Sequence, residues 1–291
     1  MSPLAVPGVR PRRKLRQGAA VRSHGSAHGW DSGREVRDFL DWVFEYEKDG
    51  LVVVLKAGID ESGTGSEFDV LCVAAAAGST RQWQHFMDEW NPVLAGLPPG
   101  KTFHAVERRR SVNEALAALT LKWMKFAFAI TISKTEYQDE TDQLFRGRYG
   151  SEYSMGIMAC VQYLAAIQRR RQNKGRTLYA IERGHKNQGG VEKILDDLAK
   201  WRSERYLIKK AVFVPKDDPL VHPSDLISHE FASAADGRPS PVFETLKPHV
   251  AHLHVTRQQI TQNVAEMQRL MTRFRYRQPG SRKPPHHGSL G

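Results

Sequence analysis

Two strand-length apolar runs, residues 51–59 and 68–77, flank the polar stretch Asp60-Glu61-Ser62-Gly63-Thr64-Gly65. Acid, serine and glycine in that order are turn chemistry, because Asp bonds its own backbone and Gly tolerates positive φ. The pair therefore predicts a β-hairpin. Downstream, stripes at helical spacing alternate with short apolar runs. Helices are predicted over 80–94 (ending near Asn91-Pro92), 112–125, 151–172, 191–205 and 222–235. Strands are predicted at 126–132, 177–182 and 207–214. A helix over 34–47 precedes the hairpin, and one over 256–275 closes the pattern. A hairpin followed by such alternation predicts an α/β fold, a mixed sheet covered by helices.

Composition narrows the class. The chain has 291 residues, 40% of them hydrophobic, which is enough for a sizeable core. No run of about 18 apolar residues occurs, so no membrane partner is expected. There is no hydrophobic signal segment at the N-terminus, and the two cysteines, Cys72 and Cys160, lie inside apolar segments. A disulfide framework or cysteine-based zinc site is thereby excluded, and a cytoplasmic location is expected. The formal charge is +11, and the excess sits at the ends. Residues 1–29 carry six basic side chains and no acid, and so do residues 267–291. The expected organisation is a disordered basic segment over 1–32, one domain over 33–278 and a disordered tail over 279–291. Basic ends favour nucleic acid through counterion release, though solvated tails that serve only solubility have the same composition. Phe274 and Tyr276 alternate with Arg273, Arg275 and Arg277, a pattern suited to stacking on bases or to a frayed helix end.

Three acids fall where a sheet presents side chains to solvent. Asp60-Glu61 follows a buried strand, and alternation points the two to opposite faces, so one reaches a given site unless the turn bends. Glu182 ends the strand 177–182 and precedes a polar, glycine-rich loop, 183–190. Asp225 lies near the start of the helix 222–235, with His229 one turn on along the same face. Acids converging from separate elements suit Mg²⁺ or Mn²⁺, hard cations that prefer oxygen. Two such ions about 4 Å apart activate water and stabilise the leaving oxygen of a phosphodiester. Each acid also has an ordinary reading: a turn residue, a partner for Arg183 or Lys186, or a first-turn acid favoured by the helix dipole.

The order of these segments resembles a bacterial domain-of-unknown-function family, number thirty-eight hundred, which is similar to ribonuclease H in fold. Ile59-Asp60-Glu61-Ser62-Gly63 resembles its signature, and Thr102-Phe103-His104-Ala105 its short histidine-containing segment. Tyr179-Ala180-Ile181-Glu182-Arg183-Gly184-His185-Lys186-Asn187 resembles its strand ending in an acid followed by Gly and Asn. Pro215-Lys216 and Pro223-Ser224-Asp225-Leu226-Ile227-Ser228-His229-Glu230 resemble its late segment. Where the family has a Leu-Gln-x-Ala-Asp stretch, this chain has Val221-His222-Pro223-Ser224-Asp225. The resemblance implies a ribonuclease-H-like mixed sheet flanked by helices, with Asp60, Glu182 and Asp225 meeting at one metal site and Glu61 or Glu230 as a fourth ligand. Asp60 would bridge two ions, with Glu182 and Asp225 each completing one shell.

Lys186, Lys216, His104 and Asn187 are the candidates for holding substrate, with a structural histidine as the other reading of His104. The runs Arg108-Arg109-Arg110 and Arg169-Arg170-Arg171 are either solvated faces or tracks for a phosphate backbone. His252/His254 and His286/His287 fall in polar segments read as mobile. The loop 184–190 lacks Gly-Lys-Ser/Thr, and no Gly-x-Ser-x-Gly elbow occurs. The expected function is a divalent-metal-dependent nuclease acting on DNA or RNA. Two alternatives are a non-catalytic nucleic-acid-binding or regulatory module of a mobile-element or phage-defence system, and a metal-dependent enzyme on a small phosphorylated substrate.

Overall fold

A computed structural model describes residues 55–65, 68–98, 102–107, 109–143, 145–146, 150–171, 175–201, 203–262 and 264–265. The expected helix over 34–47, the basic ends, Arg108, His286/His287 and most of the helix expected over 256–275 lie outside the described residues.

The hairpin forms as expected. β1 (Leu55–Ser62) pairs antiparallel with β2 (Val70–Ser79), Asp60 opposite Ala74. β2 runs directly into α1 (Thr80–Ala95) through a capping box. Ser79 Oγ accepts from the Gln82 N–H at 3.3 Å, and Gln82 Oε1 accepts from the Ser79 N–H at 2.9 Å. α1 continues past the expected stop at Asn91-Pro92. Proline removes one donor but not the carbonyls, and those of Pro92 and Val93 accept from the Gly96 N–H. After a short 3₁₀ turn at Ala105–Glu107 come α2 (Arg110–Trp123), β3 (Phe126–Ser133), α3 (Lys134–Glu140) and α4 (Glu152–Arg170). β4 (Thr177–Glu182), α5 (Gln188–Trp201), α6 (Ser203–Tyr206) and β5 (Ile208–Val214) follow. α7 (His222–Ala235), α8 (Pro241–Leu246) and β6 (Ala251–Val255) complete the order.

The sheet order is β5-β4-β1-β2-β3-β6. β2 pairs antiparallel with β1 on one side and β3 on the other, whereas β4 joins β1, β5 joins β4 and β6 joins β3 in parallel. Alternation divides the core into two layers. Leu55, Ala57 and Ile59 of β1 join Leu71, Val73 and Ala75 of β2 under α4 and α5. Cys72, Ala74 and Ala76 face the other way, onto Trp83, Phe86 and Trp90 of α1 and Leu226, Ile227 and Phe231 of α7. Among the described residues no helix is long and apolar enough to cross a membrane.

His252 and His254 do not lie in a mobile segment. They sit on β6, two residues apart and so on one face, with His252 Nε2 at 3.0 Å and His254 Nδ1 at 3.2 Å from Thr131 Oγ1. The basic run at the end of α4 is also used locally. Arg169 donates to the Arg205 carbonyl, and the Arg171 guanidinium lies 4.8 Å over the ring of Phe126. Phe126 begins β3, so this cluster is at the end of the sheet opposite the C-terminus of β1.

Glycine sets the spacing on both faces. A Cβ at Gly58 would lie 1.8 Å from the Leu220 carbonyl oxygen, just before α7, and one at Gly156 of α4 would lie 2.4 Å from Val73 Cγ2. The first clash is with backbone, which cannot rotate away. Gly58→Ala is therefore expected to destabilise the protein by about 3 kcal/mol, the upper range for overpacking. Urea unfolding tests this; a loss under about 1 kcal/mol would show that α7 is free to retreat.

Candidate active site

The site gathers at the C-terminal ends of the central parallel strands. Ile59 aligns with Ile181 in the parallel pair, so Asp60 stands beside Glu182. β4 ends there, whereas β1 runs on to Ser62, so Asp60 and Glu61 lie within the strand and not in the turn after it. Asp60 and Glu182 follow the alternation onto the face covered by α7, the face to which Ala74 and Ala180 also belong. Asp225 enters from the first turn of α7. That helix is brought against β1 by the contact of Leu220 with Gly58, and His222 anchors its start. The His222 ring is buried; its Nδ1 accepts from Trp90 Nε1 at 2.9 Å and it packs 4.9 Å from the ring of Phe103. Burial pushes its pKa down to about 4, so it is neutral.

The segment carrying Phe103 and His104 docks on Asp225. Asp225 Oδ2 accepts from the Ala105 N–H at 3.0 Å and lies 3.3 Å from His104 Nδ1. Asn113 Nδ2 donates to the Ala105 carbonyl at 3.0 Å, fixing that turn to α2. Burial alone would raise the Asp225 pKa, but His104 and the Ala105 N–H outweigh it and hold the carboxyl below its ordinary value.

The other acids go the opposite way. Asp60 is 2% exposed, and its pKa is pushed well up by burial and then by the charges of Asp225, Glu61 and Glu182. Its Oδ1 accepts from the Glu61 N–H at 2.7 Å. Glu61 is the next residue of β1, paired with Val73; burial and then Glu182 raise its pKa to about 8. Glu182 is raised by burial, which Lys216, its Nζ 3.7 Å from Glu182 Oε1, partly offsets. Four carboxyls thus stand close enough to resist simultaneous ionisation. Among the described residues, the Oε2 atoms of Glu61 and Glu182 are buried without a hydrogen-bond partner.

Orphaned, mutually repelling carboxylate oxygens are a donor set suited to a hard divalent cation. No three His, Cys, Asp or Glu side chains among the described residues are arranged to hold one ion. A hard ion such as Mg²⁺ needs only one or two carboxylates from the protein, its shell being filled by water and substrate phosphate. On these observations the residues fit such an ion.

The remaining candidates separate. Glu230 is buried on α7 but engaged elsewhere, accepting from Ser240 at the start of α8. Asn187 Nδ2 donates to Ser151 Oγ at 2.6 Å and so ties its loop to the start of α4. Lys186 is exposed beside His185. The sequence reading missed Tyr153. This residue is buried at the start of α4, stacks on His185 at 3.8 Å, and feels the charges of Glu61, Asp60 and Glu182. A tyrosine among apolar helix residues reads as core, and here it is both core and wall of the site.

No family model matches the chain, and no curated protein matches it. Solved structures do. A point mutant of Bst-RNase HIII is 14% identical, with a TM-score of 0.44 over 84% of this chain and 77% of that one. Bst-RNase HIII in complex with Mn²⁺ is 12% identical, with a TM-score of 0.40 over 75% and 71%. A chain of the PCNA:RNase HII complex from Archaeoglobus fulgidus is 15% identical, with a TM-score of 0.36 over 80% and 98%. What this chain itself shows is a mixed six-stranded sheet flanked by helices, with an antiparallel β1-β2-β3 trio extended in parallel by β4 and β5.

Because the folded state raises the Glu61 pKa from 4.5 to about 8, it favours the uncharged carboxyl. That stabilisation is complete below about pH 4.5 and is lost as pH rises through about 8. With a chelator present, Glu61→Gln is expected to add about 0.5–2 kcal/mol of stability above pH 8. At pH 4.5, the unshifted value, it should add almost nothing. Urea unfolding at both pH values measures the difference; an equal effect at the two would mean that Glu61 carries no repulsion.

Proposed function

We propose that this protein is a divalent-metal-dependent phosphodiester hydrolase acting on DNA or RNA. The observation that carries the reading is the convergence of Asp60, Glu61, Glu182 and Asp225 from β1, β4 and α7 at one end of the sheet. The mixed sheet flanked by helices and the ordered segments that resemble the domain-of-unknown-function family number thirty-eight hundred support it, and we assign the chain, with a ribonuclease-H-like fold, to that family. The basic ends supply the polyanion preference that a nucleic-acid substrate requires.

In this reading carboxylate oxygens of Asp60, Glu182 and Asp225 would hold Mg²⁺ or Mn²⁺, with water and substrate phosphate completing the shell, and the ion would supply activation of water and neutralisation of charge at the leaving oxygen. The chain's own residues do the rest. Asp60 sits where three other acids act on it, and a cation would offset their repulsion. Asp225 is favoured in its ionised form by His104 and the Ala105 N–H, and would offer a cation one fixed negative charge. Glu61 and Glu182 each keep an unengaged oxygen. Lys216 stands at the rim, where an ammonium can meet a phosphate.

The partner of Asp225 is a histidine and that of Glu182 a lysine; among the described residues no arginine ion pair with either acid is seen, which favours catalysis over a purely binding module. Asp60→Asn keeps the shape but removes the central charge. It is expected to lower Mn²⁺-dependent cleavage of single- and double-stranded DNA, RNA and RNA/DNA hybrid by at least about 100-fold, the range for losing one group that stabilises transition-state charge. Cleavage that survives in the variant would refute the assignment.

A further inference from the structure

Lys216 does more than line the rim. It lies two residues beyond Val214, the β5 residue that pairs with Glu182, so the strand delivers it to the mouth of the acid cluster. The turn that carries it is firm. Asp218 is buried, its N–H donates to the Pro215 carbonyl at 3.0 Å, and its Oδ1 accepts from the Leu220 N–H at 2.9 Å. The Asp218 carbonyl accepts from the Val221 N–H at 3.0 Å, which joins the turn to the start of α7. The side chain itself is about half exposed and has room to swing. Its Nζ is 3.7 Å from Glu182 Oε1, and its charge also acts on Glu61 and Asp225, acids contributed by two other elements. The ammonium is in contact with one acid and its field reaches two more.

We propose that the Lys216 ammonium occupies the place of one cation in the carboxylate cluster, so that the resting site takes one divalent ion and not two. This rests on the metal-dependent reading above and refines it. Charge balance is the physical reason. Were a bound cation to hold all four carboxyls ionised, one ammonium and one divalent ion would leave a net charge of minus one, which a hydrated site tolerates. A second divalent ion would turn the sum positive while lying against the ammonium, which repels it. On a bound phosphodiester, Lys216 then offers the scissile phosphate the second positive charge.

Stoichiometry tests this without turnover. Mn²⁺ is titrated into the full chain in the absence of nucleic acid, by calorimetry and by loss of the free-ion paramagnetic resonance signal. The wild type is expected to take up one ion, Lys216→Met two, and Lys216→Arg, which keeps the charge, one. Two ions in the wild type would overturn the proposal and leave the metal-dependent reading standing. One ion in both the wild type and Lys216→Met would overturn it as well. No uptake by any of the three would bring down the metal-dependent reading along with it. Since Lys216 is half exposed and packs into no core, the variants are expected to unfold at the same urea concentration as the wild type within about 0.5 kcal/mol.

Discussion

Everything at the site depends on how near the start of α7 comes to β1. The Leu220 carbonyl fills the space where any side chain on residue 58 would begin. With glycine there, the helix enters at backbone contact distance, and Asp225 reaches the carboxyls of β1 and β4. A longer separation would leave Asp225 stranded above the sheet and Asp60 without its strongest charged neighbour. The Trp90–His222 hydrogen bond and the Phe103 ring hold that approach from the side. The Ala105 N–H then reads the result by bonding the carboxylate directly.

The same closeness is unfavourable by itself. Buried carboxyls that raise one another's pKa oppose folding near neutrality, and the two apolar layers must offset that. The chain places the conflict near strand ends, where the backbone is already paired and little else is disturbed. It resolves the conflict unevenly: Asp225 is satisfied by local donors, Glu182 leans on Lys216, and Asp60 and Glu61 share what remains. An arrangement with one acid fixed and three unsatisfied has affinity for added positive charge built into it.

Much of this was legible in the chain. The hairpin, β4 and α7 follow their apolar periods closely, and the acids at their ends were visible as polar residues breaking an apolar run. What escaped has physical reasons. β6 is a short edge strand whose side chains, His-Leu-His, carry little apolar signal, and it forms because β3 offers it an unpaired edge. α3 and α8 are brief and depend on caps, Ser133 for one and Ser240 for the other, rather than on a stripe. Strand 207–214 begins one residue late, because Leu207 takes φ = 51° to turn from α6 into the sheet. Within the site, the Ala105 N–H is backbone and has no letter in the sequence. Glu61 was expected to point away by alternation; it stays in β1 opposite Val73, and the charge of Glu182 still acts on it.

The acids come from three stretches of chain, and the last of them lies more than 160 residues after the first. During synthesis, Asp60, Glu61 and Glu182 leave the ribosome well before α7 exists to press Asp225 onto them. A nascent polypeptide, or one cut short by a premature stop, carries three of the four acids and not the completed cluster. The cluster is thus assembled only when the late helix has docked.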